Sequence, residues 1–299
     1  MLGHCRPAGN TGRSWRRDPM PPFSHTIIIS WAGMRGVVSL AAAMALPVTF
    51  PERDLLVFLA FCATGAAGYR RNLDTAEIVA QALWLLEAGQ VNPEIHPNIV
   101  FMGMGEPFYN YDAVHKSIRL LMRKDGLNIG ARRITVSTAG EVRGIRRFAD
   151  EGWQVRLSVS LHAANNDLRS ELVPLNRRFP LEELRAALEY YQERTGRQFT
   201  FEWTLLDGVN DQPQHAAELA EFAKGLKAFV NLIPWNPVPG LPFKPSSPKR
   251  AVFFAETLRR WNIPVTLRKE QGRDIDAVCG QLRRVVLDQK KFAIENNFH

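Results

Sequence analysis

The sequence predicts an α/β protein, a partial parallel β/α barrel preceded by a foreign apolar N-terminal segment. Three observations predict it. Short apolar runs at 98–103, 133–137, 154–160, 199–205, 229–233 and 264–268 alternate with amphipathic helical patterns. Those runs start 21 to 45 residues apart, so each connection is long enough for a crossover and neighbouring strands should be parallel. A chain of 299 residues at 45% hydrophobic and 23% charged has the balance of a globular protein, which excludes extensive disorder.

Taken in order, the first element is the stretch 26–50, TIIISWAGMRGVVSLAAAMALPVTF, apolar apart from Arg35. Its charge-free pieces of nine and fifteen residues fall short of the ~20 that span a bilayer. An arginine in mid-helix costs about 2.5 to 3.5 kcal/mol on insertion scales, so membrane contact by 26–50 is a subordinate expectation. The leader before it carries Arg6, Arg13, Arg16 and Arg17 but also Pro7, Pro21 and Pro22, unlike a secretory signal peptide. Residues 1–61 and 62–299 therefore read as two units, and 1–60 are expected to pack poorly, with no inner strand ahead of Cys62.

From about residue 70 the pattern is regular. Asp74-Thr75-Ala76-Glu77 is a capping box heading a helix to about residue 88. Pro180 opens a helix over 181–194 with Leu181, Leu184, Leu188 and Tyr191 on one face, and Ser247-Pro248 opens another to about 261. In β/α barrels function sits at the carboxyl ends of the strands. Those ends read Gly103-Met104-Gly105-Glu106-Pro107, Ser137-Thr138-Ala139-Gly140, Ser158-Val159-Ser160-Leu161-His162-Ala163, then 206–211 and 234–240. Singly, each reads as a turn or a cap, and His162 as a satisfied structural histidine. Five in succession point to a polar small molecule across the barrel mouth, with Glu106, Ser137, Ser160 and Asn236 as hydrogen-bonding groups.

The formal charge, 38 basic minus 30 acidic residues or +8, favours a polyanionic partner. Arg132-Arg133, Arg143 with Arg146-Arg147, and Arg177-Arg178 are the expected phosphate contacts. Cys5, Cys62 and Cys279 stand too far apart for a disulfide framework or a self-contained zinc site, which fits a reducing cytoplasm. None of the seven histidines forms an HxxxH pair, removing most catalytic zinc arrangements.

Several long motifs carry a resemblance. FCATGAAGYRRNLDTAEIVAQ (61–81), NIVFMGMGEPFYNYDAV (98–114), ARRITVSTAG (131–140), VRLSVSLHAANNDLRSELVPLNRRFPLEEL (155–184), NLIPWNPVPGLPFKPSS (231–247) and GRDIDAVCGQL (272–282) resemble the radical-SAM RNA adenine methyltransferases of the RlmN/Cfr family. The resemblance implies a barrel of the radical-SAM type. It implies methylation of carbon 2, with carbon 8 the alternative, of an adenosine in ribosomal RNA, with transfer RNA a second target. Carbon 2 has no lone pair to attack a methyl sulfonium, so the cofactor must supply radical chemistry. In that family a 4Fe-4S cluster on three cysteines cleaves S-adenosyl-L-methionine (SAM), and a second SAM methylates a cysteine near the C-terminus that passes the carbon on. Carried over by motif, Cys279 is the methyl-carrying cysteine. Gly105, Glu106, Ser137, Ser160, Leu161, His162 and Asn236 are the SAM-binding positions, and Cys62 is a cluster ligand. A reductant such as flavodoxin or ferredoxin, and a monomeric state, come with the same resemblance.

The cluster is where the sequence departs from that family. The family pattern is CxxxCxxC followed by ATG, and Cys62 takes its last place; Leu59 and Leu55 take the other two. Leucine cannot ligate iron, so one of three expected ligands is present. Val48 stands fourteen residues before Cys62, where the resemblance places the cysteine that releases product. Upstream, SWAGMRGVVSLAAAMALP and FPERDLLVFLAF (25–61) resemble a fragment of a bacterial sodium/proton antiporter, as a fused reading frame would. The resulting expectation is a methyltransferase impaired at the cluster. The alternatives are a catalytically dead SAM- or RNA-binding remnant and a membrane-tethered fusion product.

Overall fold

All strands in the computed structural model, which describes residues 26–29, 71–88, 97–102, 105–235, 237 and 242–268, run parallel in a single sheet. They are β1 (Thr26–Ile29), β2 (Asn98–Phe101), β3 (Ile134–Thr138), β4 (Arg156–Ser160), β5 (Phe199–Leu205), β6 (Ala228–Pro234) and β7 (Val265–Leu267). They lie side by side in chain order, with β1 and β7 as the edges. Between them run α1 (Thr75–Ala88), α2 (Tyr111–Met122), α3 (Val142–Asp150), α4 (Asn166–Leu172), α5 (Leu181–Thr195), α6 (Pro213–Ala223) and α7 (Pro248–Arg260). Parallel crossovers are right-handed, so a sheet wound in one direction carries all its helices on one face. That is the arrangement of a barrel left open along one seam, as the sequence predicts.

The predicted strands β2 to β7 fall within two residues of their expected bounds. The capping box closes in both directions: Asp74 Oδ1 accepts from the Glu77 amide at 2.8 Å, and Glu77 Oε2 accepts from the Asp74 amide at 3.0 Å. At α7, Ser247 Oγ accepts from the Arg250 amide at 3.3 Å. The expected apolar face of α5 is inside, with Leu184 and Leu188 fully buried and Tyr191 stacked on Phe148 of α3 at 6.4 Å between ring centroids.

At the N-terminal segment the structure corrects the expectation that no inner strand precedes Cys62. Thr26–Ile29 pairs in parallel register with Asn98–Phe101 and supplies an edge strand. A Thr-Ile-Ile-Ile run has the β-branched composition that strands favour, and the edge of β2 offers unpaired backbone groups to it. The rest of 1–61, including Leu55 and Leu59, lies outside the described residues. No helix among the described residues is long and apolar enough to cross a membrane.

The core is the layer between helices and sheet. Val136, Val159, Phe201, Trp203, Val230 and Leu232 face it from the strands, each fully buried. On the same strands the alternate positions are polar: Thr135 and Ser137, Ser158 and Ser160, Glu202 and Thr204, then Asn231. Side chains alternate across a strand, so the face turned away from the helices is the polar one.

Candidate active site at the strand ends

The first end to take shape is that of β2. Gly105 holds φ at +103°, a conformation reserved for glycine, and turns the chain so that Glu106 reaches over to β3. There Glu106 Oε1 accepts from Thr138 Oγ1 at 2.8 Å and from the Phe108 amide at 3.1 Å, while Oε2 accepts from the Ala139 amide at 2.8 Å. Burial pushes this carboxyl up to about 7 against the pull of those three donors. Glu106 is therefore a clasp between two strand ends whose charge is poised to respond to any cation that arrives. Thr138 Oγ1 in turn accepts from the amides of Gly140 and Glu141, at 3.0 and 3.2 Å, fixing the turn out of β3.

Beneath β3 and β4 lies Arg169, a fully buried guanidinium on α4. Its Nη2 donates to Ala139 O at 2.6 Å and to Ser160 O at 3.5 Å, its Nε to Leu161 O at 3.2 Å and its Nη1 to Asn176 Oδ1 at 2.8 Å. No carboxylate forms a salt bridge with it among the described residues. Burial holds its pKa down to about 10, which still leaves it a cation. The group thus ties three carbonyls at the carboxyl ends of two strands and adds positive charge under the mouth. Gly140, at φ +106°, passes close by: a Cβ there would stand 3.1 Å from Arg169 Nη2.

His162 follows β4 with φ at +58°, a left-handed conformation unusual outside glycine. Its Nδ1 accepts from the Thr204 amide at 3.1 Å, so the proton of the neutral ring sits on Nε2. Burial, then the charge of Arg169, pushes it down to about 4, and it stays neutral near pH 7. Asn210, fully buried, bridges the same two ends by donating to His162 O at 2.8 Å and Thr204 O at 2.7 Å. On the inner face, Glu202 accepts from Ser158 Oγ at 2.9 Å and from Asn231 Nδ2 at 2.7 Å.

The positions expected from the sequence sort as follows. Glu106, Ser137, Ser160 and His162 gather at the ends of adjacent strands β2, β3 and β4, each nine-tenths buried. Leu161 reaches the site through its backbone alone. Its side chain is fully buried in the core layer, its amide donates to Glu202 O at 3.0 Å and its carbonyl is held by Arg169. Cys62, Asn236 and Cys279 lie outside the described residues. Sequence reasoning missed Arg169, Glu202 and Asn210. A signal existed for Glu202, a lone charge between Phe201 and Trp203 in an apolar run.

A polar small molecule fits this end of the sheet. The inner face offers Ser137, Ser160 and Glu202, all buried, and Trp235 Nε1 at the end of β6 is a buried donor without an acceptor among the described residues. These are groups for the hydroxyls, amine and carboxylate of a molecule such as SAM. A four-iron cluster fits differently. It needs three thiolates, whereas Cys62 stands with Leu55 and Leu59 at the matching spacing, and no group of three metal-binding side chains occurs among the described residues.

Residues 60–220 match the family model described as the radical SAM superfamily. A protein of Geobacillus kaustophilus named "Probable dual-specificity RNA methyltransferase RlmN" is 50% identical over 224 residues, 75% of this chain and 61% of that one. A protein of Dictyoglomus turgidum with the same name is 46% identical over 230 residues, 77% of this chain and 66% of its own. The crystal structure of a radical SAM methyltransferase from Sphaerobacter thermophilus superposes with a TM-score of 0.71 at 51% identity, covering 76% of this chain and 66% of that one. The chain thus spans a little under two thirds of the length of the Geobacillus relative. These comparisons give no support to the antiporter resemblance of 25–61.

Proposed function

This chain belongs to the radical SAM superfamily, and from that premise we propose that it is a SAM- and RNA-binding protein of the adenine-C2 methyltransferase lineage. The proposed target is ribosomal RNA, with transfer RNA a second, and the present ligand set impairs the chemistry. The observation that carries the reading is the polar inner face ending in the Glu106, Ser160 and His162 cluster. The printed names of relatives at 46 and 50% identity support the RNA substrate.

Bound SAM supplies the sulfonium from which a methyl group can be transferred. The chain's part is to bind and orient it. Glu106, poised near 7, is suited to an ammonium, because a nearby cation would draw its proton off. Ser137 and Ser160 offer hydroxyls on the inner face. His162, neutral with its proton on Nε2, offers one donor of fixed tautomer. Arg169 keeps these ends in place and lays positive charge under an anionic group. Cys279, at the place of the methyl-carrying cysteine, is proposed for that role by resemblance alone.

The RNA would run over the helices beside the mouth. Arg143, Arg146 and Arg147 are exposed on one face of α3, and Arg177 and Arg178 on the turn after α4. Tyr109, 51% exposed, stands beside Arg178 near the same end and offers a ring on which an unpaired base could stack. A cytoplasmic, monomeric protein is part of this proposal. A flavodoxin- or ferredoxin-type reductant is needed only by a form that carries the cluster.

Anaerobic iron-sulfide reconstitution tests the impaired reading. The chain as it stands should fail to retain about four irons, and Leu55→Cys with Leu59→Cys should gain them. A brown four-iron protein without those substitutions would overturn it.

A further inference from the structure

The other end of the sheet, where the parallel strands begin, is lined with arginine. Arg132 and Arg133 close the turn that leads into β3, Arg156 is the first residue of β4, and Arg197 stands two residues before β5. Three neighbouring strands are thus entered past a guanidinium. The groups converge: Gln154 Oε1 accepts from Arg132 Nε at 2.8 Å and from Arg197 Nη1 at 3.3 Å. Partial burial first, then the charges of Arg197, Arg132 and Arg133, hold Arg156 below the usual arginine range. Arg132, Arg156 and Arg197 form no salt bridge among the described residues. Arg197 Nε is a buried donor without an acceptor among them. The acids that precede this rim in the chain are engaged elsewhere, Asp150 by Tyr190 and Arg194, Glu151 by Tyr111 and His115.

Like charges gathered without a counter-ion repel, and an anion that joins them relieves the repulsion. A helix end accounts for one of them: α5 stops at Gly196, beside Arg197, and its carbonyl end favours a cation. Arg132 in a turn and Arg156 in a strand have no such reason, and both are exposed. Adjacent strands lie about 4.8 Å apart, so the row from β3 to β5 extends over roughly 10 Å. That is wider than one phosphate and suits consecutive phosphates of a single backbone, each able to take a guanidinium fork on two oxygens. We infer that the rim of Arg132, Arg133, Arg156 and Arg197 is a second RNA contact, one that takes backbone phosphates at the end of the sheet remote from the mouth. The inference rests on the reading of this chain as an RNA-binding protein. Phosphate contacts position without reading sequence, so the rim holds and orients a structured RNA while the choice of base stays at the mouth.

Two RNAs separate the rim from the mouth: a short hairpin with adenosines in its loop, and the same hairpin on a long duplex stem. Fluorescence anisotropy measures binding of each over a range of salt, with thermal unfolding of every protein alongside. The proteins are the full chain, a rim variant (Arg132→Gln, Arg156→Gln and Arg197→Gln) and a control (Lys116→Gln, Arg119→Gln and Lys124→Gln) that removes equal charge from α2 and its end. Each neutralised phosphate contributes about 0.7 to 0.9 to the log–log salt slope. The unsubstituted chain should show the steeper slope with the long stem. The rim variant should lower that slope by about 2 to 3 and weaken long-stem binding about tenfold or more at ~0.1 M salt, leaving the short hairpin unaffected. Arg156→Gln alone, which breaks no hydrogen bond to Gln154, should lower the slope by about 1. An unchanged long-stem slope in both the rim variant and Arg156→Gln would overturn the inference. So would an equal loss in the control, which would show net charge alone at work, or an equal loss on both RNAs, which would put these arginines at the mouth's own contact. In each of these cases the RNA reading stands. A full chain that binds neither RNA would overturn that reading and this inference together.

Discussion

The two faces of the same strands differ more than any two elements of the molecule. On β4 and β5 the residues turned to the helices are Leu157, Val159, Phe201, Trp203 and Leu205, with at most 1% exposure, while those between them are Ser158, Ser160, Glu202 and Thr204. A parallel sheet covered on both sides reads as continuous hydrophobic sequence. Here helices cover one side with apolar side chains, while the other side buries polar ones, Ser158, Ser160 and Glu202. The apolar face packs the helices onto the sheet, and the polar face carries the hydrogen-bonding groups suited to a ligand. Between them stand a few buried polar groups, Arg169 first among them, that fix the polar ends to the apolar layer.

The contrast breaks most visibly on the apolar side. Trp203→Ala, at a fully buried position packed 5.6 Å from the Phe254 ring, should cost about 3 to 5 kcal/mol by chemical denaturation. Its neighbour Thr204→Ala on the inner face should cost less than about 1 kcal/mol. Comparable losses at the two sites would contradict the division of labour.

Next in size is the link between the faces. Arg169→Met should cost about 2 to 4 kcal/mol, because Ala139 O, Ser160 O and Leu161 O lose their donor together. Arg169→Lys, which keeps the charge but not the fork, should recover part of the stability and little of the SAM affinity. Full recovery of both would show that charge alone matters there.

The two titrating groups of the mouth act in opposite directions with pH. Glu106 is raised from the usual 4.5 to about 7, so its contribution is fully present below 4.5 and is lost as pH rises toward 7. His162 is depressed from 6.5 to about 4, so its contribution is present above 6.5 and is lost as pH falls toward 4. Between about 4.5 and 6.5 the two offset. Glu106→Gln should unmask the histidine and make stability rise with pH over that window by roughly 2 to 3 kcal/mol. His162→Asn, whose side chain tolerates the left-handed backbone, should unmask the opposite slope. Denaturation midpoints between pH 4 and 7 that keep one slope in both variants would show that other groups govern the dependence.

A smaller loss than at Arg169 is expected at Gly140→Ala, about 1 to 2 kcal/mol from a positive φ and a new Cβ against Arg169. A neutral result would mean that the turn out of β3 yields easily.

Much of the fold was legible in the sequence because strands and helices differ in period, and the runs from residue 98 to 268 follow those periods closely. The edge strand Thr26–Ile29 was not legible as such: its apolar surroundings read as membrane-like, and only the free edge of β2 gives the run a partner. At the site, motifs named Glu106, Ser160 and His162 but could not separate side chain from backbone, and so included Leu161, whose side chain is core. Arg169 sits on an amphipathic helix among other charges, where no spacing distinguishes a buried arginine from a solvated one. Asn210 read as one more turn residue, because the acceptor that makes it a bridge, His162 O after β4, lies 48 residues away in sequence.

Amide hydrogen exchange of the whole chain with and without saturating S-adenosylhomocysteine tests most directly whether the polar face and its strand ends are the cofactor site. The prediction is slowed exchange concentrated at the ends of β3, β4 and β5, in peptides covering Ser137, Ser160 to His162 and Thr204. Protection confined to helices α6 and α7, or none there at a concentration where calorimetry reports binding, would contradict it.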